Sequence, residues 1–341
     1  MKVDSEFMIS VRNAEVLNSF VKAERVIERH DKILCSVSGG ADSDIVVDML
    51  SKLDDSGKVV YAWFDTGMEY QATKDHISDL EAKYNITIQR VKAIKPIPTS
   101  CIQYGQPFLS KYVSEMIERL QRHDFQWEDE SYENLIIKYP RAKSAIKWWC
   151  SWYDDDLAKS YPSQKGNTSK WSISRNKFLK EFMVNNPPYF PIAAKCCQYA
   201  KKDVSSRIER EINADLLVTG IRKAEGGVRA GAYSTCTSYD AHKGLDTFRP
   251  IFWYTQDDKD YYCKRFDVQH SKCYTEYGLK RTGCAGCPFN RNCTEELDIV
   301  EANEPKLYKA CVNVFADAYD YTRKYREFVA EQKAREKAQK S

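Results

Sequence analysis

The apolar positions of the chain form short continuous runs separated by stretches with helical spacing. A run of about four to eight apolar residues is typical of a buried strand, whereas apolar residues three and four apart are typical of a helix. The runs that predict strands lie at residues 33–37, 59–64 and 215–219, and alternating apolar and polar residues predict a further strand at 86–91. The spacings that predict helices lie at residues 14–29, 44–53 and 70–84. Strands that alternate with helices predict an α/β fold, with a parallel sheet and helices on both faces.

Three polar segments begin where predicted strands end. Residues 38–43 follow the first strand, residues 65–67 follow the second, and residues 220–229 follow the strand at 215–219. The carboxyl ends of parallel strands meet at one edge of the sheet, and ligands in such folds bind beyond that edge. We therefore expect these three segments to line one site.

The turn at residues 38–43 predicts a site for an anion, because it joins a strand to a helix. Free backbone N–H groups at a helix start, together with the helix dipole, favour negative charge. Gly39 and Gly40 allow the backbone to approach a phosphate without an intervening Cβ atom. Ser38 and Ser43 add hydroxyl donors. The turn is not a Walker loop, since the Gly-Lys-Ser/Thr end is missing.

Three charged residues are the candidate catalytic groups of this site. Asp42 lies in the turn itself and is a candidate ligand for a metal ion or a terminal amide. Arg222 and Arg229 follow the strand at 215–219 and would supply the positive charge that a Walker lysine supplies elsewhere. The alternative is that both arginines are ordinary residues of a surface loop.

The segment Asp65-Thr66-Gly67 is a second candidate for binding a nucleotide. A carboxylate at a strand end is suited to recognising ribose hydroxyl groups or to organising a metal ion. The alternative is that Asp65 only forms the turn or caps the helix that follows.

These motifs resemble those of the ATP-pyrophosphatase and phosphoadenosine-phosphosulfate (PAPS) reductase superfamily. The resemblance covers about residues 30–95 and 190–293, and four motifs carry it: Ser-Gly-Gly-x-Asp-Ser at 38–43, Asp-Thr-Gly at 65–67, Thr-Gly-Ile-Arg-x-x-Glu-x-x-x-Arg at 219–229, and the segment at 249–258. The chain departs from the family where Ala41 replaces the usual lysine, and where the aromatic residue after the second motif is displaced to Tyr70.

The resemblance implies an adenosine nucleotide ligand, either ATP or a sulfonated nucleotide (PAPS or APS), with Mg²⁺ as a further cofactor. It implies catalytic roles for Asp42, Arg222 and Arg229. The residues that it places in contact with the nucleotide are Ser38, Gly39, Gly40, Asp42, Ser43, Asp65, Thr66, Gly67, Gly220 and Arg222.

The cysteines are clustered, which predicts metal binding rather than scattered structural thiols. Of 12 cysteines, Cys196 and Cys197 are adjacent, and Cys284 and Cys287 form a Cys-x-x-Cys turn. Adjacent cysteines are awkward for tetrahedral zinc, because neighbouring side chains point apart, whereas an iron–sulfur cube presents corners that are further apart.

The resemblance favours a particular ligand set for that metal. The APS reductases of the superfamily hold a [4Fe–4S] cluster with a similar pattern, which implies Cys196, Cys197, Cys284 and Cys287 as ligands. Proteins of DNA phosphorothioation suggest the alternative set Cys273, Cys284, Cys287 and Cys293. Cys236 has no clear place in either set, and zinc or purely structural thiols are the remaining interpretations.

The chain divides into three regions on this evidence. We expect an N-terminal helix at 1–30, a nucleotide-binding domain at 31–255 with a helical insertion at about 96–190, and an iron–sulfur-associated helical region at 256–341. The insertion contains an aromatic segment at 148–153, for which a helix–helix core is favoured over a stacking wall for a base.

Composition and charge argue against several classes of function. A formal net charge of +3 argues against a dedicated binder of polyanions. The sequence has neither an apolar stretch of the roughly 18 residues that a membrane span needs nor a signal-peptide pattern. Disulfides do not persist in the cytosol, which suits cysteines that bind metal. We expect a cytoplasmic protein without a membrane partner.

Three functions are compatible with these observations. The favoured one is an ATP-dependent sulfur-transfer enzyme, which splits ATP to AMP and pyrophosphate and needs a sulfur donor. Its acceptor is a tRNA base, a DNA phosphate or a small molecule. The second is a sulfonucleotide reductase, which needs a redox partner and a mobile nucleophilic cysteine; the last cysteine, Cys311, lies instead in a helix-like segment. The third is a nucleotide-sensing protein without catalysis.

Overall fold

The computed structural model contains a six-stranded sheet in the order β3-β2-β1-β4-β6-β5. It describes residues 3–160, 163, 166–226, 231–242 and 244–339. The strands are β1 (Ile33–Val37), β2 (Val59–Asp65), β3 (Ile88–Lys92), β4 (Leu216–Thr219), β5 (Thr237–Asp240) and β6 (Leu245–Phe248). All neighbouring pairs are parallel except β5 and β6, which are antiparallel. The predicted α/β fold with a parallel sheet is confirmed.

Some of the helices in the described residues pack on this sheet, and the others form a second, helical part of the chain. In chain order they are α1 (Ser5–Ser10), α2 (Ala14–Arg29), α3 (Ala41–Leu53), α4 (Gln71–Tyr84), α5 (Ile97–Tyr104), α6 (Lys111–Gln121), α7 (Tyr132–Lys138), α8 (Lys143–Trp149), α9 (Trp152–Ser160), α10 (Leu179–Asn185), α11 (Lys195–Cys197), α12 (Asp203–Glu211), α13 (Gln256–Phe266), α14 (Lys272–Thr275), α15 (Cys293–Asn303), α16 (Pro305–Val314) and α17 (Ala316–Ala338).

Helices cover both faces of the sheet, as predicted. Alternate residues of a strand point to opposite faces. On one face, Ile33 and Cys35 of β1 belong to a core that includes residues of α2, α3 and α13. On the other face, Leu34 packs in a smaller core with Val204 and Ile208 of α12. The central strand is therefore buried on both sides, which explains its continuous apolar sequence.

Four of the six strands are predicted by the sequence, and two are not. The predicted strands at 33–37, 59–64, 86–91 and 215–219 correspond to β1 to β4, although β3 begins two residues later than expected. β5 and β6 lack an apolar run, because three of the four residues of β5 are exposed and β6 is fully buried only at its two end residues. A strand of only four residues gives little hydrophobic signal in the sequence.

The chain divides into two compact units. The first contains the sheet and is formed by Met1–Pro96, Tyr199–Ala285 and Asp298–Leu307. The second is helical and is formed by Ile97–Gln198, Gly286–Leu297 and Tyr308–Ser341.

The aromatic segment at 148–153 builds the core of the second unit. Trp148 and Trp149 are fully buried. The Trp149 ring packs edge-on against Phe125, with ring centroids 5.2 Å apart, and its indole N–H donates to the backbone oxygen of Glu128 at 3.0 Å. Trp152 is half-buried beneath the ammonium group of Lys147, which lies 3.5 Å from the ring centroid. These contacts agree with the favoured interpretation of a helix core.

Among the described residues, we find no helix with the length and apolar character required for crossing a bilayer.

Removing the Trp149 side chain should strongly destabilise the protein. We expect Trp149→Ala to lower the free energy of unfolding by about 3–5 kcal/mol, because a large buried ring leaves a cavity. Trp171, which is 47% exposed, is the matched control, and Trp171→Ala should cost less than about 1 kcal/mol. Urea unfolding followed by circular dichroism measures both. Equal losses in the two variants would contradict the assignment of Trp149 to the core.

Candidate functional site

The glycine turn joins β1 to α3 and is shaped by contacts that require its two glycines. Gly39 has a φ of +67°, and a Cβ atom there would lie 2.6 Å from Cγ2 of Thr73. Gly40 is the residue before α3 and makes no side-chain cap. A Cβ atom on Gly40 would lie 3.1–3.2 Å from the hydroxyl oxygens of Ser38, Tyr274 and Thr282. Both glycines are buried beneath these side chains.

Hydroxyl groups satisfy the backbone N–H groups of the turn. The N–H of Ser38 donates to Oγ of Ser43 at 3.0 Å, and the N–H of Gly40 donates to Oγ of Ser38 at 3.2 Å. The N–H of Ala41 donates to the Tyr274 hydroxyl at 3.2 Å, and this hydroxyl is also 3.0 Å from Oγ1 of Thr282. A hydroxyl both donates and accepts. The start of α3 is therefore lined with groups that can rotate to bind an anion.

Asp42 holds two basic side chains at the start of α3. Its Oδ2 lies 3.0 Å from Nε of Arg222, and its Oδ1 accepts a hydrogen bond of 2.8 Å from Nζ of Lys259. Both basic side chains are nearly buried, with 10% and 13% of their surfaces exposed. The structure thus brings together Asp42 and Arg222, as the sequence predicts, and adds Lys259, which the sequence analysis missed.

The strand β4 and the segment before α13 place these two cations. Gly220 follows β4, and a Cβ atom there would lie only 3.0 Å from the backbone oxygen of Asp42. Arg222 donates through Nη1 to the backbone oxygen of Thr255 at 3.4 Å. Thr255 and Asp258 form a capping box at the start of α13, and Lys259 lies directly after it. Glycine at 220 therefore allows β4 to approach the turn closely.

The first turn of α3 carries a second buried carboxylate, Asp44, with two histidine partners. Oδ1 of Asp44 lies 3.0 Å from Nε2 of His76, and Oδ2 lies 2.8 Å from Nδ1 of His270. Nε2 of His270 is 3.4 Å from the sulfur of Cys263 on α13. Burial favours neutral His76, but the hydrogen bond and charge of Asp44 outweigh it and raise the pKa of His76. Asp44 thus ties α3 to α4 and to the segment before α14.

The Asp65-Thr66-Gly67 segment forms a tight turn at the end of β2. Oδ1 of Asp65 accepts a hydrogen bond of 3.0 Å from the N–H of Gly67, which is the turn-forming alternative considered for this residue. The Thr66 hydroxyl donates to Glu69 at 2.6 Å. Burial raises the pKa of Glu69, while Lys201 and Thr66 lower it in part. Glu69 is a half-buried carboxylate at the same strand end that the sequence analysis missed.

Two further arginines belong to this edge of the sheet by sequence position. Arg249 follows β6, is 3% exposed, and lies with its guanidinium carbon 3.8 Å from the Tyr233 ring centroid. Its Nη2 donates to Ser238 at 3.1 Å, whereas its Nε and Nη1 have no hydrogen-bond partner among the described residues. Burial lowers its pKa. Arg229, the third predicted catalytic residue, lies outside the described residues.

The predicted cluster ligands are distributed over both units of the chain. Cys196 is buried in the second unit, where a hydrogen bond with Cys101 raises its pKa and one with Cys197 lowers it; burial and the nearby Cys287 raise it further. Cys101 was not among the predicted ligands. In the first unit, the sulfur of Cys284 accepts a hydrogen bond of 3.6 Å from Thr66.

The alternative ligands, Cys273 and Cys293, are buried in separate surroundings. Cys273 is fully buried in the first unit, 3.6 Å from Oγ1 of Thr73. Cys293 donates to the backbone oxygen of Gly286 in the second unit at 3.7 Å, and burial raises its pKa to about 12. Within the described part of the chain, no group of three or more histidine, cysteine or acidic side chains is arranged to hold a metal ion. The cysteines agree with an iron–sulfur cluster in chemical type, and the ligand set stays a prediction.

A comparison with known protein families finds a match for one part of the chain, which begins just before β1. The family model of the phosphoadenosine phosphosulfate reductase domain matches residues 32–144. Residues 32–144 are therefore similar to a PAPS reductase domain. The superfamily expected from the motifs is confirmed. This domain contains the glycine turn and the Asp65-Thr66-Gly67 segment, whereas Arg222 and Lys259 reach the site from beyond the matched residues.

Solved structures with a related chain path are distant from this protein. The phosphoadenylyl-sulfate (PAPS) reductase from Candida auris, in complex with phosphate, is 15% identical, covers 83% of this chain and 97% of its own, and has a TM-score of 0.41. The NH3-dependent NAD synthetase from Campylobacter jejuni, in complex with nitrate, is 12% identical, covers 92% and 93%, and has a TM-score of 0.36. No curated protein matches the chain. Assignment of the PAPS reductase domain therefore relies on the family model.

The Asp44–His76 pair should make stability depend on pH. A histidine whose pKa is raised on folding stabilises the protein below its unfolded pKa of about 6.5, and this contribution is lost as the pH rises through the folded pKa. We expect His76→Gln to lower the free energy of unfolding more at pH 6 than at pH 9, as measured by urea unfolding. A loss that is equal at both pH values, or larger at pH 9, would contradict a protonated His76 beside Asp44.

Proposed function

We propose that the glycine turn binds the phosphate groups of an adenosine nucleotide and that the protein is an ATP-dependent sulfur-transfer enzyme. The observation that carries the proposal is the pairing of Asp42 with Arg222 and Lys259 at the N-terminus of α3. Two cations with limited access to water, beside the positive end of a helix dipole, favour a multiply charged anion. The PAPS reductase domain at residues 32–144 supports an adenosine nucleotide as that anion.

In this proposal the hydroxyl-lined turn exchanges its partners when nucleotide binds. A phosphate oxygen takes the N–H groups of Gly40 and Ala41, while Ser38 and Tyr274 rotate their hydroxyl groups to donate to the same anion. Arg222 contacts the phosphates directly, and Asp42 positions it. The ribose is assigned to the Asp65-Thr66-Gly67 segment. Arg229 remains a proposed catalytic residue. Mg²⁺ enters with the nucleotide, as part of the substrate.

The proposed reaction conserves oxidation state. An oxygen of the acceptor attacks the α-phosphorus of ATP, the α–β anhydride bond breaks, and pyrophosphate leaves. A hydrosulfide-level sulfur donor then attacks the activated atom of the acceptor, and AMP leaves with the former acceptor oxygen. Arg222 and the turn stabilise the negative charge that develops on the phosphates. The acceptor is a nucleic acid or a small molecule, and a donor protein supplies the sulfur.

Reduction of a sulfonated adenosine nucleotide to sulfite is the second candidate, and the description of the matched family favours it. That reaction requires an accessible nucleophilic thiol and a redox partner. Cys311 is fully buried in α16 and is therefore poorly placed as a nucleophile. This burial is the reason for keeping sulfur transfer as the leading proposal.

We propose separately that the cysteines hold a [4Fe–4S] cluster, with Cys196, Cys197, Cys284 and Cys287 as its ligands. The closeness of Cys196 to Cys197 and Cys287 supports a thiol-rich site. Cys101, a close neighbour of Cys196, is a further candidate ligand. No step of the proposed reaction depends on the cluster.

Replacing Arg222 should weaken nucleotide binding without unfolding the protein. A hydrogen bond to a charged group contributes about 1.5–3 kcal/mol, so Arg222→Met should weaken ATP binding roughly ten- to hundredfold in calorimetry. Arg210 of α12 is exposed and is the matched control. Unchanged affinity in Arg222→Met, with Arg210→Met also unchanged, would remove Arg222 from the site.

The reaction products separate the candidate functions. Release of pyrophosphate from ATP supports sulfur transfer, and release of sulfite from PAPS or APS in the presence of a thiol reductant supports reduction. Binding of a nucleotide without either product supports the nucleotide-sensing alternative. Failure of ATP, PAPS and APS to shift the melting temperature would contradict a nucleotide site altogether.

The cluster proposal predicts a coloured protein. Protein purified without oxygen should be brown, and Cys287→Ser should lower both the visible absorbance and the bound iron. Cys150→Ser is the control, because Cys150 belongs to neither candidate ligand set. A colourless wild-type protein that contains stoichiometric zinc would show that the cluster assignment is wrong.

A further inference from the structure

One of the two basic side chains that pair with Asp42 in the glycine turn comes from a helix distant in sequence. Residues 38–43 contain no lysine or arginine. Position 41, at the first residue of α3, is an alanine that is only 5% exposed. Lys259 lies more than 200 residues later in the chain, yet its ammonium group is 2.8 Å from Oδ1 of Asp42 in the same turn.

The location of Lys259 is unfavourable for its own helix. It lies near the start of α13, directly after Asp257 and Asp258. The positive end of a helix dipole disfavours a cation there, and burying an ammonium group costs free energy unless it is paired. Since only 13% of the Lys259 side chain is exposed, its position depends on the negative charge that it contacts.

Asp42 neutralises the positive charge of Lys259 only in part. The same carboxylate also pairs with Arg222 through its other oxygen. The three groups together carry one net positive charge, and two cations that share a carboxylate repel each other. An anion placed at the turn would relieve this repulsion, and Asp42 would then position both cations around it.

We infer that Lys259 is a phosphate-binding residue of the nucleotide site and supplies from α13 the positive charge that the turn itself lacks. This inference rests on the proposed nucleotide function and adds a specificity-determining residue to it. Lys259 contacts the charged phosphates in this arrangement rather than the base or the ribose. Its contribution therefore grows with the number of phosphates on the ligand.

A purely structural ion pair is the competing explanation, and it makes different predictions. If Lys259 served only to hold α13 against α3, its removal would lower stability and weaken all ligands alike. If it binds phosphate, its removal weakens ATP strongly and leaves adenosine, which has no phosphate, unaffected. The dependence on ligand charge separates the two roles.

The experiment compares ATP, AMP and adenosine on wild-type protein and three lysine variants. Lys259→Met removes the charge, and Lys259→Gln removes it while keeping a donor for Asp42, so that one variant folds if the other does not. Lys264→Met is the control, because Lys264 lies on the same helix and is exposed. Calorimetry measures affinity, and thermal unfolding confirms the fold.

We expect both Lys259 variants to weaken ATP roughly ten- to hundredfold, AMP less than ATP, and adenosine less than twofold, with Lys264→Met unchanged. Equal ATP affinity in wild type and Lys259→Gln would overturn the inference while leaving the nucleotide site intact, and so would equal weakening of all three ligands. If wild-type protein binds none of the three, the proposed function itself fails and the inference fails with it.

Discussion

The shared carboxylate of Asp42 is the interaction on which the candidate site depends. It joins the start of α3 to Arg222 beyond β4 and to Lys259 on α13, and these segments are far apart in sequence. Each of the two cations is nearly buried, so each depends on this carboxylate for compensation. A site assembled in this way is sensitive to any change that moves β4 or α13 relative to the turn. Gly220 shows this sensitivity, since even a methyl group there would contact the backbone of Asp42.

The same helix is anchored by two further carboxylates, which lie one turn apart on its buried face. Asp44 and Asp48 are fully buried. Asp44 contacts His76 and His270, while Asp48 pairs with Lys52 and accepts a hydrogen bond of 2.8 Å from the Tyr262 hydroxyl. Buried carboxylates specify one arrangement of their partners, because an unpaired charge is costly. The α3 helix is thereby fixed in rotation, which determines where Asp42 points.

The sequence predicts those parts of the fold that are determined by a few neighbouring residues. The apolar run of β1 and the glycine turn are each contained within a few consecutive residues, and the structure has both of them. Lys259 was missed because its significance lies in a contact with a residue more than 200 positions away. Cys101 was missed for the same reason, as a single cysteine with no motif around it. β5 and β6 were missed because each has only four residues, of which three are exposed in β5 and only the two end residues are fully buried in β6.

The absence of a basic residue from the turn changes how the site can select a ligand. A lysine within the turn would belong to the start of α3, whereas Arg222 follows β4 and Lys259 lies on α13. The positive charge at the site therefore depends on the packing of three elements, and the hydroxyl groups of Ser38 and Tyr274 already satisfy the N–H groups of the turn. An anion must replace those hydroxyl contacts and must also pair with both cations at the same time. A ligand with several adjacent phosphates meets both requirements better than one with a single negative charge.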